Sequence, residues 1–215
     1  MAELEITEVK RGDKGRVTYR LDNGVDLTLY RSELHRLSLE EQACLREEGA
    51  VPEALYRKLL HEIVGLRAKK RAMHLLEQMD RTEQQLSDKL RQGGYPEPCI
   101  ENAIAYAKSF HYIDDLRYAR SFVRSQQHRK SSGRLRMDLM KRGIARDIIG
   151  QALMEEYSSD EREKIRVLMA ERHFDHETRD EREQRRIYQF LLRRGFRSSD
   201  IMSELRNAGD THIIL

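Results

Sequence analysis

The sequence predicts a mainly α-helical protein: a tandem repeat of three three-helix units forming an elongated array, with a small N-terminal β-hairpin or meander in front. Three observations predict it. First, aligning Gly94, Gly143 and Gly195 aligns five apolar columns: Leu86/Leu135/Ile187, Leu90/Leu139/Leu191, Tyr95/Ile144/Phe196, Ile100/Ile149/Ile201 and Ile104/Leu153/Leu205. Second, the first two columns and the last two are each i,i+4 pairs, so each pair lies on one helical face, and the glycine between them suits a left-handed helix stop. Third, only 39% of the 215 residues are hydrophobic and 36% are charged, with no Trp, a balance expected of thin helical modules that show much of their circumference to water.

Residues 1–52 form the first segment. Val17, Tyr19 and Leu21, then Val25, Leu27 and Leu29, alternate with polar residues around Asn23-Gly24, which reads as a two-residue hairpin turn. A third strand is expected over Leu4 to Val9. So small a sheet is marginal alone and should dock on a neighbouring helix. Ser32 and Ser38 read as N-caps of short helices, the latter within the capping box Ser38-Leu39-Glu40-Glu41.

The first helical unit spans 53–111. Leu55, Leu59, Leu60, Ile63, Leu66, Ala72, Leu75 and Leu76 recur at helical spacing up to about Met79, as one helix or as two joined near Gly65. Thr82-Glu83-Gln84-Gln85 is a capping box for the next helix, Gly93-Gly94 stops it, and Pro96 suits the first turn of the third. The second unit, 112–157, starts at Asp114-Asp115 and breaks around Ser131 to Gly133. The third, 158–215, starts at Ser158-Ser159-Asp160, has Ile165, Leu168 and Met169 as its first stripe, and ends in a tail from Asp210 expected to fray.

Charge is distributed unevenly. Residues 1–55 carry 8 Lys+Arg against 12 Asp+Glu, whereas residues 116–146 carry ten bases against the single acid Asp138. Arg117, Arg120, Arg124, Arg129, Lys130, Arg134, Arg136, Lys141 and Arg142, with Arg146, make the middle unit cationic. Arg117, Arg120 and Arg124 form one stripe opposite Ala119, Phe122 and Val123. A solvated face is the plain alternative, but so concentrated a positive charge points to a polyanion or an acidic protein surface. The third unit, with twelve bases and twelve acids interspersed, serves as the internal comparison.

Other sites are weak. Asp114 and Asp115 fit a helix start better than a metal pair, and His173 and His176 lack further ligands and read as surface residues. Cys44 and Cys99 have no CxxC spacing and read as free thiols. Phosphate-loop, GxSxG and HExxH motifs are absent, so neither catalysis nor a cofactor is expected. No apolar run is long enough to span a bilayer, and MAELEITEVK lacks a signal-peptide core, so the chain is expected in the cytoplasm. Tyr106, Phe110, Tyr112, Tyr118 and Phe122 could stack on bases of a single strand; core packing between adjacent units explains them more simply.

At this point the residues resemble a known family. His111-Tyr112-Ile113-Asp114-Asp115-Leu116-Arg117-Tyr118-Ala119-Arg120-Ser121-Phe122-Val123, followed by Gly133 and Leu139-Met140-Lys141-Arg142-Gly143-Ile144, is similar to the central signature of the RecX family. Leu86-Ser87-Asp88-Lys89-Leu90 before Gly93-Gly94, and Leu191-Leu192-Arg193-Arg194-Gly195-Phe196, match it too. The resemblance covers about residues 60–207 and implies tandem three-helix units and a non-enzymatic regulator of the RecA recombinase. It implies a protein that lies in the groove of the recombinase filament on single-stranded DNA and restrains filament growth, strand exchange and ATP turnover during recombination and DNA repair, while the repeat columns and the low apolar fraction predict an elongated monomer. The rival reading is a helical-repeat protein that binds duplex DNA directly, as a transcription-type regulator does.

Overall fold

Several helices start at a side-chain cap or a proline, and three stop just before a glycine of positive φ, Gly94, Gly143 or Gly195. The computed structural model describes residues 3–157, 160–172, 174 and 181–210, without the side chains of 208–210. These fall into two compact units, 1–114 and 115–215.

The first unit opens with strands β1 (Leu4–Arg11), β2 (Arg16–Leu21) and β3 (Asp26–Tyr30), then short helices α1 (Arg31–Leu34) and α2 (Leu39–Cys44), and a two-residue strand β4 (Ala50–Val51). The antiparallel sheet has the order β3-β2-β1-β4. β4 is absent from the sequence reading, because two residues are too few to show an alternation. The hairpin also differs. Arg20 pairs with Asp26, and the Leu21 N–H donates to the Val25 carbonyl at 2.9 Å, leaving a three-residue loop. Gly24 closes that loop at φ +80, the left-handed position such loops require.

Alternation along the strands puts Ile6, Tyr19, Leu21, Leu27 and Leu29 on one buried face, in the same core as Leu55, Leu59 and Ile63. The sheet does dock on helix. Arg67 fastens the two: its guanidinium donates to the Thr28 carbonyl at 2.6 Å and to Glu33 at 2.5 Å, and lies 4.7 Å from the Tyr30 ring centroid. Ser38 caps α2 through the expected capping box. Ser32 is not an N-cap. The chain passes directly from β3 into α1, so Tyr30 holds that position, and the Glu33 carboxylate accepts its N–H at 3.0 Å.

The long helical stretch after Pro52 is α3 (Glu53–Lys58), a π-helical segment (Leu59–Val64) and α4 (Gly65–Gln78). Gly65 is the join, for a reason the sequence does not display. Its N–H bonds the Leu60 carbonyl, and a Cβ at Gly65 would stand 2.4 Å from that oxygen. The Cys99 thiol donates to the same carbonyl at 3.3 Å, and burial pushes its pKa up to about 11, so Cys99 is held as an inert thiol. Helices α5 (Glu83–Gln92) and α6 (Glu97–Ser109) complete the unit. Thr82 caps α5 through its capping box, and Pro96 is the N-cap of α6 with Pro98 inside the first turn.

The second unit holds α7 (Asp115–Gln126), α8 (Ser132–Met140) and α9 (Arg146–Glu156), then α10 (Glu161–Glu171), α11 (Glu181–Arg193) and α12 (Ser198–Asp210). Asp160 is the N-cap of α10. Ser158, Ser159, His173, His176 and the tail beyond Asp210 lie outside the described residues.

The repeat columns become one motif made three times. Gly94, Gly143 and Gly195 have φ of +75, +81 and +85. After each glycine the next residue's N–H reaches five residues back: Tyr95 to the Leu90 carbonyl at 3.3 Å, Ile144 to Leu139 at 3.3 Å, and Phe196 to Leu191 at 3.4 Å. That is the six-to-one bond of a Schellman stop. It turns the apolar residue after the glycine back onto the helix it ends, which is why the third column is apolar. Leu90, Leu139 and Leu191 are fully buried beneath it.

Candidate functional site

The cationic residues of 116–146 sit on α7, on α8, in the loops around them and at the start of α9, and four of the ten, Arg120, Arg124, Lys130 and Arg134, meet carboxylates of the same unit. The apolar face of α7, Ala119 and Val123, packs in a core with Ile149, Ala152 and Leu153 of α9. This brings the arginine stripe beside the end of α9. Arg120 is ion-paired with Glu155, and Arg124 forms a two-pronged pair with Glu156 at 2.7 and 2.9 Å. The hydrogen bonds from these arginines hold both carboxyls below the usual carboxylate range. Glu155 and Glu156 lie 35 and 32 residues along the chain from their partners, outside the window in which the charge excess is visible.

Asp138 is the second neutralising centre. It is buried, which disfavours its charge, but the Lys130 ammonium at 2.9 Å and the charges of Lys130, Arg134 and Arg142 outweigh burial and lower its pKa. Arg134 completes the cluster at 3.2 Å. Arg142 donates to the Tyr118 hydroxyl at 3.2 Å and to the Asp138 carbonyl at 3.3 Å, and lies 4.7 Å from the Phe122 ring centroid. These groups brace the unit as much as they charge it.

The nine candidate residues therefore divide. Arg120, Arg124, Lys130, Arg134 and Arg142 are engaged within the unit, and Arg117, exposed on α7, is not free either. Arg129, Arg136 and Lys141 are exposed, and among the described residues no ion pair reaches their side chains. The outward charge is carried by these three and by Arg146.

The loop ahead of α8 is fixed by the third repeat. The Ser131 hydroxyl accepts from the Arg134 N–H at 3.2 Å, capping α8, and donates to the Gly195 carbonyl at 2.7 Å, while the Ser131 N–H donates to the Arg194 carbonyl at 3.1 Å. Beside it, Glu161 accepts from the Ser132 N–H and hydroxyl at 3.0 and 2.8 Å and from the Tyr157 hydroxyl at 3.2 Å. Lys164 lies beneath, its ammonium 3.6 Å from the Tyr157 ring centroid and without a hydrogen-bond partner. Burial lowers its pKa to about 8. A cleft of about 490 Å³ opens over this junction, lined by Ser131, Ser132, Glu161, Arg162 and Arg197 among others.

The aromatic residues depart from the core-packing expectation. Tyr106, Phe110 and Tyr112 are 38%, 56% and 49% exposed. They stand together on the first unit, with ring centroids 4.9 Å apart for Tyr106 and Phe110 and 6.1 Å for Phe110 and Tyr112, and Lys69 5.2 Å from the Tyr106 ring. Tyr118 and Phe122 are half-buried against the core of the second unit, as expected. The three exposed rings extend past the apolar stripe of α6 and its end, where helical periodicity no longer decides which side is buried. Among the described residues no group of three or more His, Cys, Asp or Glu is placed to hold a metal, and no helix is long and apolar enough to cross a membrane.

Comparison with known proteins accounts for this architecture. Residues 68–106 match the family description of the first three-helix domain of RecX, and residues 114–153 match that of the second. The chain is 32% identical over 162 residues to the regulatory protein RecX of Caldanaerobacter subterraneus subsp. tengcongensis, covering 74% of this chain and 80% of that protein. It is 25% identical over 200 residues to the RecX of Clostridium botulinum (strain Eklund 17B / Type B), covering 91% of each. A crystal structure of regulatory protein RecX shares the fold with a TM-score of 0.57 at 23% identity, over 95% of this chain and 99% of that one. With both three-helix domains in order and a relative of that identity across most of its length, the chain belongs to the RecX family of regulatory proteins.

Proposed function

We propose that this chain regulates the RecA recombinase without chemistry of its own, by binding the recombinase filament on single-stranded DNA and restraining its growth and ATP turnover. The observation that carries the reading is family membership through two consecutive three-helix domains. The exposed bases Arg129, Arg136, Lys141 and Arg146 on the second of these domains support it, because a filament of protein and DNA offers both carboxylates and phosphates to a guanidinium. The units 1–52, 53–111, 112–157 and 158–215 then divide the labour, with 112–157 as the contact module and the chain acting as a cytoplasmic monomer.

The test is recombinase ATP hydrolysis on single-stranded DNA, followed with and without substoichiometric amounts of this chain. A fall in steady-state turnover larger than the molar ratio is the expected result, since an effector bound at a filament end or groove acts on many protomers. Replacing Arg129, Arg136 and Lys141 by Gln weakens the effect more than replacing Arg182, Arg185 and Arg186 in the charge-balanced unit. Unchanged turnover, together with tight binding to a palindromic duplex in the absence of recombinase, would assign the protein to direct duplex binding instead.

A further inference from the structure

Four arginines from three separate stretches of the chain meet where the second and third repeats join. Arg172 is the C-cap of α10, Arg193 ends α11, and Arg194 follows it. Arg129 belongs to the loop before α8, which the bonds from Ser131 to Arg194 and Gly195 hold against that helix end. The ring of Phe190 is the floor. It is 8% exposed, and the guanidinium carbons of Arg194 and Arg172 lie 3.6 and 4.1 Å from its centroid. Arg129, Arg172 and Arg193 are exposed and Arg194 is half-buried.

Among the described residues the cluster lacks the ion pairs found elsewhere in the unit. Arg120, Arg124 and Arg166 each hold a carboxylate, whereas no ion pair joins any of these four guanidinia to a carboxylate among the described residues. Burial, followed by the charges of Arg172, Arg193 and Arg129, depresses the Arg194 pKa, against the opposing charge of Glu171. Like charges held together by packing lower their mutual repulsion when an anion enters. Guanidinia held against an aromatic ring can still offer N–H groups for bidentate bonds to phosphate oxygens.

We propose that Arg129, Arg172, Arg193 and Arg194 form a binding site for the phosphodiester backbone of a single-stranded nucleic acid. The site straddles the basic repeat and the one whose overall charge is balanced, so it extends the contact surface beyond the residues that charge counting picks out. Its biological setting rests on the filament reading, and its test is run without recombinase so that the two fail separately.

The probe is a fluorescently labelled oligo(dT), titrated by anisotropy across a salt series. The variant is Arg129→Gln/Arg193→Gln, because both residues are exposed and neither stacks on Phe190. Losing two phosphate contacts should flatten the slope of log affinity against log salt by about 1.4, so the fall in affinity from about 50 to about 200 mM salt shrinks roughly sevenfold. The Arg185→Gln/Arg186→Gln control should follow the wild-type curve. If circular dichroism shows that the double variant has lost helix, Arg193→Gln alone carries the test, with half the change in slope. A double variant with the wild-type slope, or a wild-type chain that does not bind the oligonucleotide, overturns the proposal. Binding to polyglutamate that is lost while oligonucleotide binding stays unchanged would give the cluster to an acidic protein surface and overturn it too.

Discussion

Gly94 and Gly195 end equivalent helices with nearly the same backbone, φ +75 and +85, but their surroundings differ. A Cβ at Gly94 meets nothing within 4 Å; one at Gly195 stands 2.7 Å from the Arg134 Cβ and 2.8 Å from the Ser131 hydroxyl oxygen. Gly94→Ala therefore costs only the left-handed backbone strain, about 1 kcal/mol. Gly195→Ala adds overpacking against the first turn of α8, about 1–3 kcal/mol, and disturbs the Ser131 cap, about another 1 kcal/mol. The expected total is about 3–5 kcal/mol. The assay is residue-resolved hydrogen exchange, since a chain with two compact units need not unfold in one step. Gly195→Ala should lower protection in α8 as well as α11, whereas Gly94→Ala should lower it only in α5 and α6. Equal small losses for both variants, or a Gly195→Ala effect confined to α11, would refute the argument that this glycine is a contact point between repeats.

Leu90→Ala, Leu139→Ala and Leu191→Ala should each cost about 2–5 kcal/mol by the same exchange measurement, because all three are fully buried under the same stop motif; a neutral Leu139→Ala would break the equivalence of the columns. Lys164 supplies a pH dependence. Its folded pKa of about 8 lies below that of the unfolded chain, so between roughly pH 8 and 10.4 the unfolded state binds more protons and stability rises with pH. Below that window the penalty is constant. Lys164→Met should raise stability near neutral pH by about 1 kcal/mol, the gain from removing a desolvated charge less the lost contact with the Tyr157 ring, and should abolish the rise; a denaturation series that retains it would place the titration elsewhere.

Much of the local architecture is legible in the residues alone, because the interactions that produce it span five residues or fewer. The i,i+4 apolar pairs, the capping boxes at Ser38 and Thr82, and the stops at Gly94, Gly143 and Gly195 each follow from contacts within a turn. The departures are also local in origin. A three-residue loop differs from a two-residue turn by one position, and the π-helical segment before Gly65 keeps the apolar spacing of an α-helix nearby.

The chemistry of the surface was decided at longer range. Ten bases against one acid is a true count for residues 116–146, but the charge left facing outward depends on Glu155 and Glu156 reaching Arg120 and Arg124 across the α7–α9 packing. The third repeat shows the converse. Its acids and bases balance in number, yet Arg172, Arg193 and Arg194 gather around Phe190, with Arg129 delivered from the preceding repeat by two bonds from Ser131. Helix periodicity is set by neighbours along the chain and can be read from them, whereas the electrostatics of a site are set by neighbours in space and wait for the tertiary structure.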